Sequence, residues 1–242
     1  MVFKQVLSLS LTGALPHNES KKLYTFLKLL WLSLLVNAVF TIVDLILAKN
    51  GLMEPRRHPG NAFIEEETIL WRLFVLFVFR AITNPLFEEL SFRLALSQKK
   101  RDVMWGLSFL TALLLTFFTD IESLARPYFW FMTHPVVFVL LGGLTFLLLR
   151  PLARKVSEIH EFSGSETSLK WLLLGSAVLF SFIHVFVSPT TEYWFLYPII
   201  YGRFFVAAYI FAFARLSLGF WYAVACHGAY NGLLFLMTIL RN

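Results

Sequence analysis

Long apolar stretches alternate with short polar segments along the whole chain. Seven stretches are each close to the roughly 20 residues that an α-helix needs to cross a bilayer. They lie near residues 26–48, 69–97, 103–118, 132–150, 170–187, 195–214 and 217–240. The pattern predicts an all-α protein, a polytopic bundle of about seven transmembrane helices. No repeat or composition change divides the chain, so residues 1–242 are expected to form a single integral membrane domain.

The composition agrees with an integral membrane protein. Hydrophobic residues make up 58% of the chain and charged residues only 15%. The net charge is +6, but the basic residues concentrate in short loops, so we expect the lipid bilayer as partner and no nucleic acid. Basic segments such as 99–101 fall on one side of alternating spans, which predicts a cytoplasmic N-terminus. Without organelle signals, a bacterial inner (cell) membrane is the expected location.

The second apolar stretch carries three charges, on Glu88, Glu89 and Arg93. Three unpaired charges at mid-bilayer would cost roughly 8–10 kcal/mol, so partners are expected. Glu89 and Arg93 stand four residues apart on one helix face and are predicted to pair. Glu88 lies about 100° around the helix and has no cation of its own, so it is suited to act as a general base. The preceding Asn84-Pro85 predicts a kink or helix restart.

Polar side chains also occur in two later stretches. His184 lies in the fifth, and His227 and Asn231 lie four residues apart in the seventh. Counting 1.5 Å per residue from the cytoplasmic ends places Glu88 and these three at depths of roughly 13–21 Å, which predicts a polar cavity within the membrane. Taken singly, each is equally well explained as an interhelical hydrogen bond of about 0.6 kcal/mol. Together they can supply a base for water and donors for an oxyanion, as amide hydrolysis requires.

Three short motifs follow one another in the chain. They are Glu-Glu-x-x-x-Arg at 88–93, Phe-x-x-x-His at 180–184 and His-x-x-x-Asn at 227–231. The ordered set resembles the CPBP family of intramembrane proteases, which includes CAAX prenyl endopeptidases and bacteriocin-processing or immunity proteins. The resemblance covers roughly residues 75–98 and 172–238, where the core motifs lie.

The resemblance implies an intramembrane endopeptidase that hydrolyses peptide bonds in a peptide or membrane-associated protein. Four residues are then catalytic: Glu88 and His184 activate water, and His227 and Asn231 stabilise the oxyanion. Supporting roles fall to Glu89, Arg93 and Phe180. The chain departs from the family pattern at Leu94, where glycine is more common, and in its long interval between Arg93 and His184. We therefore do not carry over the family's substrate specificity.

The use of a metal is left open by the residues. Glu88, His184 and His227 with one water match the ligand number of a catalytic zinc site. However, the chain lacks the His-Glu-x-x-His pattern of many zinc peptidases. We favour a metal-free mechanism with no cofactor, and zinc on these three residues is the alternative.

The sequence is also compatible with two other functions, and several further residues have expected roles. The same fold could serve as a catalytically silent immunity or scaffold protein, or less favourably as a proton-coupled transporter, although no inverted halves are evident. Asp44, Arg80 and Arg203 lie in or near apolar stretches and are expected to pair or to line a cavity, with Arg203 favoured as functional. Cys226 precedes His227, but helix neighbours diverge by about 100°, so it is expected to pack.

Overall fold

The fold is known from a computed structural model, which describes residues 22–53, 69–97, 99–118, 136–151, 166–187 and 193–241, together with residues 6 and 8. These residues form helices and short connections without any strand, so the all-α prediction is confirmed for the described part. The α-helices are α1 (Lys22–Lys49), α2 (Ile69–Val78), α3 (Asn84–Phe92), α4 (Lys100–Phe118), α5 (Val136–Pro151), α6 (Glu166–Val187), α7 (Tyr197–Ser217) and α8 (Phe220–Arg241).

Three helical segments are long and apolar enough to cross a membrane. They are Lys22–Lys49, Trp194–Ser217 and Phe220–Leu240, and two shorter apolar helices cover Val136–Pro151 and Leu169–His184. Helix α1 is the most exposed of the three, with only 11% of its apolar window buried inside the protein. An apolar surface of this length is stable against acyl chains and not against water, which supports a membrane protein.

Helix α7 lies at the centre of the described structure. Every residue from Ala207 to Ala214 is buried, and the helix packs against α1, α6 and α8. Only Leu218 and Gly219 separate it from α8. Gly219 has a φ of 111°, which side chains other than glycine rarely tolerate, so this residue permits the tight turn. The walls of the candidate site contributed by α7 and α8 are therefore held together by a short connection.

The second apolar stretch changes its helical form before Asn84. A π turn at Phe79–Thr83 joins α2 to α3, and the Asn84 amide donates to the Phe79 carbonyl in its i→i−5 pattern. Pro85 occupies the first turn of α3. The predicted irregularity is confirmed, but its form differs, because Asn84 does not cap a new helix with its side chain. Continuing the π pattern, residue 85 would donate to Arg80, and proline has no amide hydrogen to donate.

Helix α8 crosses the π turn at very short range. A Cβ on Gly228 would overlap the carbonyl oxygen of Ala81, and one on Gly232 would lie 3.3 Å from the Ala81 Cβ. Two glycines four residues apart allow two backbones to approach closely, as in many membrane helix pairs. This approach brings His227 and Asn231 against the segment that carries Glu88.

The aromatic rings of α3, α4 and α5 form a separate stack. Phe138 stacks on Phe87 at 4.3 Å between ring centroids and on Phe109 at 5.3 Å, and Trp105 stacks on Phe146 at 3.8 Å. These contacts attach α5 to the face of α3 that carries Phe87. Residues 54–68, 119–135 and 152–165, including the first four residues of the apolar stretch predicted at 132–150, lie outside the described residues.

Candidate functional site

A cavity of about 300 Å³ opens between the π turn, α3, α6, α7 and α8. All four residues predicted to be catalytic line it, although they come from three helices that are far apart in the sequence. Its walls combine aromatic rings with the side chains of Tyr230 and Thr238 and with six further polar residues: Arg80, Asn84, Glu88, His184, His227 and Asn231. Such a mixture of apolar walls and a few converging polar groups is typical of ligand sites.

His227 lies between the two neighbouring acids of α3. Its Nδ1 is 3.0 Å from Glu89 Oε1, and its Nε2 is 3.4 Å from Glu88 Oε2. A neutral imidazole has a single N–H, so donation from Nδ1 to Glu89 leaves Nε2 as an acceptor. With both nitrogens protonated, Nε2 is a second donor that lies close to Glu88 Oε2 without forming a hydrogen bond to it. In either form, Glu89 fixes the orientation of the ring and Nε2 lies beside Glu88.

The predicted pair between Glu89 and Arg93 is present. Arg93 Nε lies 3.7 Å from Glu89 Oε1, and both side chains are completely buried. The guanidinium also lies over the Phe180 ring, with Cζ 4.3 Å from the centroid. The three guanidinium nitrogens have no hydrogen-bond partner among the described residues. The carboxylate and the aromatic ring are therefore the groups that offset the desolvation of this cation.

His184 is held by its own helix. Its Nδ1 lies 2.7 Å from the Phe180 carbonyl oxygen, and a carbonyl can only accept, so Nδ1 donates. The neutral ring then has an unprotonated Nε2, which can accept a hydrogen bond. Phe204 stacks on the ring at 4.0 Å, and Phe180 packs against it at 4.7 Å. Phe180 therefore contacts His184 and Arg93 together, and its supporting role in the site stays a prediction.

Asn231 has a structural partner that the sequence analysis did not anticipate. Its Nδ2 donates to the carbonyl oxygen of Arg80 over 3.3 Å. This is the carbonyl that Pro85 leaves without a helical donor, because residue 85 has no amide hydrogen. The amide group of Asn231 has a second N–H beyond the one used here. The sequence feature that indicates this acceptor is Pro85, because a proline within an apolar helix leaves one backbone carbonyl without its helical donor.

The arginines within the apolar stretches divide between pairing and cavity lining. Arg203 forms a short ion pair with Asp44, which ties α7 to α1, and it does not line the cavity. Arg80 does line it. The expected pairing therefore holds for Asp44 and Arg203, whereas the preference for Arg203 as the functional arginine has no support in its position. Cys226 is completely buried, in agreement with a packing role.

The spacing of Glu88, His184 and His227 bears on whether these residues could bind a metal ion. Glu88, His184 and His227 line one cavity, but no three His, Cys, Asp or Glu side chains in the described ranges are arranged to hold a metal ion. His227 directs Nε2 at Glu88 and Nδ1 at Glu89, so both of its nitrogens already face carboxylates. Zinc on Glu88, His184 and His227 stays an alternative prediction of the sequence.

Comparison with known proteins gives no relative. No protein-family model, curated protein or solved structure matches the chain. The resemblance to the CPBP family therefore depends on the three motifs, and the function must be argued from the site itself.

Proposed function

We propose that the protein is an intramembrane endopeptidase of the CPBP type. The observation that carries this proposal is the shared cavity of Glu88, His184, His227 and Asn231. The residues come from three motifs separated by as many as 143 positions, from Glu88 to Asn231. Four such groups at one cavity provide a base, a second water-orienting group and two oxyanion donors, which are the parts needed to hydrolyse an amide.

The proposed reaction begins with a water molecule between Glu88 and His184 Nε2. Glu88 takes one proton from this water as the water oxygen attacks the scissile carbonyl carbon. The oxyanion that forms accepts hydrogen bonds from His227 Nε2–H, in the doubly protonated ring, and from the second N–H of Asn231. Collapse of the intermediate breaks the C–N bond, and the proton held by Glu88 passes to the leaving amine. The products are a carboxylic acid and an amine.

We propose a metal-free route for this reaction. Glu88 is bordered by an imidazole and not by a set of three ligands, and Glu89 orients His227 as the supporting carboxylate does in other hydrolytic sites. Zinc held by Glu88, His184 and His227 is the competing mechanism, and it requires His227 Nε2 to turn from the acid toward a metal.

The finer features of the location belong to the same proposal. We infer about seven spans, a cytoplasmic N-terminus and a bacterial inner membrane. The three long apolar helices and the loop charges support this arrangement. Substrates are then peptides or membrane-associated proteins that enter the polar cavity within the bilayer from the cytoplasmic side.

A catalytically silent immunity or scaffold protein is the second candidate. The hydrogen bond from Asn231 to Arg80 and the contact of His227 with Glu89 both join helices, which is a sufficient structural reason for these polar residues. In that case the cavity binds a peptide or a partner helix without hydrolysis.

The two candidates are separated by comparing cells that carry the wild type, Glu88→Gln or Asp102→Asn. Asp102 is a matched control because its side chain is 18% exposed, against 19% for Glu88, and it does not line the cavity. Terminal-peptide proteomics of membrane fractions should find shortened products with the wild type and Asp102→Asn only. Identical termini in all three strains, with the biological effect retained in Glu88→Gln, would instead establish the silent protein.

A further inference from the structure

Arg80 is a cation without a counter-charge among the residues that the structure describes. Arg93 lies near Glu89, and Arg203 is paired with Asp44. Among the described residues, no carboxylate forms an ion pair with Arg80. Its guanidinium lies over the ring of Phe235, 5.4 Å from Cζ to the centroid.

The position of Arg80 indicates that its guanidinium needs a partner from outside the described residues. The residue lies in the π turn, well inside the apolar stretch from 69 to 97, and its side chain lines the cavity. A cation in such a segment is costly unless it meets water, an anion or a ligand. Its backbone is fixed by the hydrogen bond from Asn231, so the guanidinium is presented to the cavity from a defined point.

The distance between Arg80 and the proposed catalytic acid, Glu88, corresponds to a short length of peptide. Arg80 precedes Glu88 by eight residues, which corresponds to about 12 Å along the helix. An extended peptide covers that distance with roughly three or four residues. The amide side chain of Asn84 lines the cavity between the two positions and can bond to a peptide backbone.

We propose that Arg80 is a specificity-determining residue that binds a carboxylate of the peptide substrate, three or four residues from the bond attacked by the water that Glu88 activates. The inference rests on the proposed function. A guanidinium binds a carboxylate with two parallel hydrogen bonds, and the apolar wall around Phe235 strengthens that attraction. The carboxylate is either an acidic side chain or the free end of the chain, because both present the same group.

The test measures binding, so that it does not depend on hydrolysis. Full-length Glu88→Gln protein in detergent is incubated with a library of eight-residue peptides. Every peptide is made in matched pairs. In one pair, a single position carries Asp or Asn, and in the other pair the C-terminus is free or amidated. Retained peptides are quantified by mass spectrometry. We expect carboxylate members to be retained about tenfold more than their amide counterparts, and Arg80→Gln in the same background to remove this preference.

Further variants give the result its meaning. Arg80→Lys should keep part of the preference, and Arg80→Glu should transfer it to peptides with Lys in place of Asp. Arg101→Gln is the matched control, since it removes the same charge from a side chain that is 82% exposed and outside the cavity. Preference for Asp at one position identifies a side chain as the source, whereas preference for the free terminus identifies the chain end.

Several outcomes overturn the inference. Equal retention of acid and amide peptides does so, as does a preference that persists in Arg80→Gln, or a library from which nothing is retained. Loss of the preference in nanodiscs of phosphatidylglycerol, but not of phosphatidylcholine, would identify an anionic lipid headgroup as the anion. Wild-type protein is then given the retained peptides. Binding without cleavage contradicts only the proposed function, and cleavage without charge preference contradicts only the role of Arg80.

Discussion

Gly228 of α8 lies directly against the carbonyl oxygen of Ala81 in the π turn, with no room for a Cβ between them. His227 and Asn231 are placed by this contact, because the residue before Gly228 meets Glu88 and the third residue after it meets Arg80. The catalytic geometry proposed above therefore depends on a glycine that has no chemical role.

Gly228→Ala is expected to separate α8 from the π turn. We expect a loss of about 1–3 kcal/mol in the free energy of unfolding, since the new methyl group meets rigid backbone, together with loss of cleavage. Gly232→Ala is the matched control. Its Cβ would lie 3.3 Å from a methyl group and a ring, and the gain in helix propensity of up to about 1 kcal/mol offsets this contact. Thermal unfolding in detergent and peptide cleavage measure both, and equal effects would show that the glycine contact is unimportant.

The two roles of Asn231 can be separated through Pro85. Asn231→Ala should cost about 1–3 kcal/mol, because the Arg80 carbonyl loses its donor. Adding Pro85→Ala restores an amide hydrogen at residue 85 and should recover part of that stability. Cleavage should stay about 10²–10³-fold reduced in the double variant, since an oxyanion donor is still missing. Recovery of cleavage along with stability would reduce Asn231 to a structural residue.

The neighbouring acids Glu88 and Glu89 are expected to respond differently to the same substitution. Glu89→Gln removes the carboxylate beside completely buried Arg93, which should cost about 3–5 kcal/mol of stability. Glu88→Gln should change stability by less than about 1 kcal/mol, because this side chain is partly exposed, while cleavage falls by about 10²–10⁴-fold. Unfolding curves of both purified variants provide the measurement. Comparable destabilisation by the two substitutions would contradict this division of roles.

The pair between Asp44 and Arg203 is expected to stabilise the fold without taking part in hydrolysis. Asp44→Asn and Arg203→Gln should each cost about 1–3 kcal/mol, since each leaves a largely buried partner charge. The double variant should cost less than the sum, which a double-mutant cycle detects. Cleavage per folded molecule should be unchanged. A specific loss of activity in Arg203→Gln would return that arginine to the list of functional residues.

Removal of metal is expected to leave the activity intact. Purified protein treated with a chelator and analysed for zinc should cleave at an unchanged rate, because water activation is assigned to Glu88 and His184. Addition of zinc to the treated sample is the control. Stoichiometric zinc that disappears together with the activity would replace the metal-free route with a metal-assisted one.

Much of the site was accessible from the sequence, because charged groups in apolar helices have few tolerable positions. The i,i+4 spacing predicted the pair of Glu89 and Arg93, and matched depths predicted that Glu88, His184, His227 and Asn231 would share one cavity. Hydropathy located the helices well, and three of their segments are long enough to span a membrane. The seven-span arrangement stays a prediction, because only three helices are identified as long and apolar enough to cross a membrane, and they are identified by length and composition alone.

The partners of the remaining polar residues could not be predicted. Which arginine pairs with Asp44 depends on how α1 and α7 pack, and the sequence does not encode that distance in any local pattern. The hydrogen bond from Asn231 depends on the π turn, whose i→i−5 register moves the vacant acceptor from Ala81 to Arg80. The sequence therefore predicted an interhelical hydrogen bond for Asn231 only in general terms, and the register of the π turn decides that its partner is the Arg80 carbonyl.

The contact between Glu89 and His227 also has a consequence for biosynthesis. These residues are 138 positions apart, so the contact forms only after at least 138 further residues have been added beyond Glu89. A nascent chain emerging at about 5–20 residues per second then carries Glu88 for several seconds before its histidine partner is translated. If the protein is the proposed intramembrane protease, copies in which α8 has not yet been made lack this contact and stay inert at the insertion machinery.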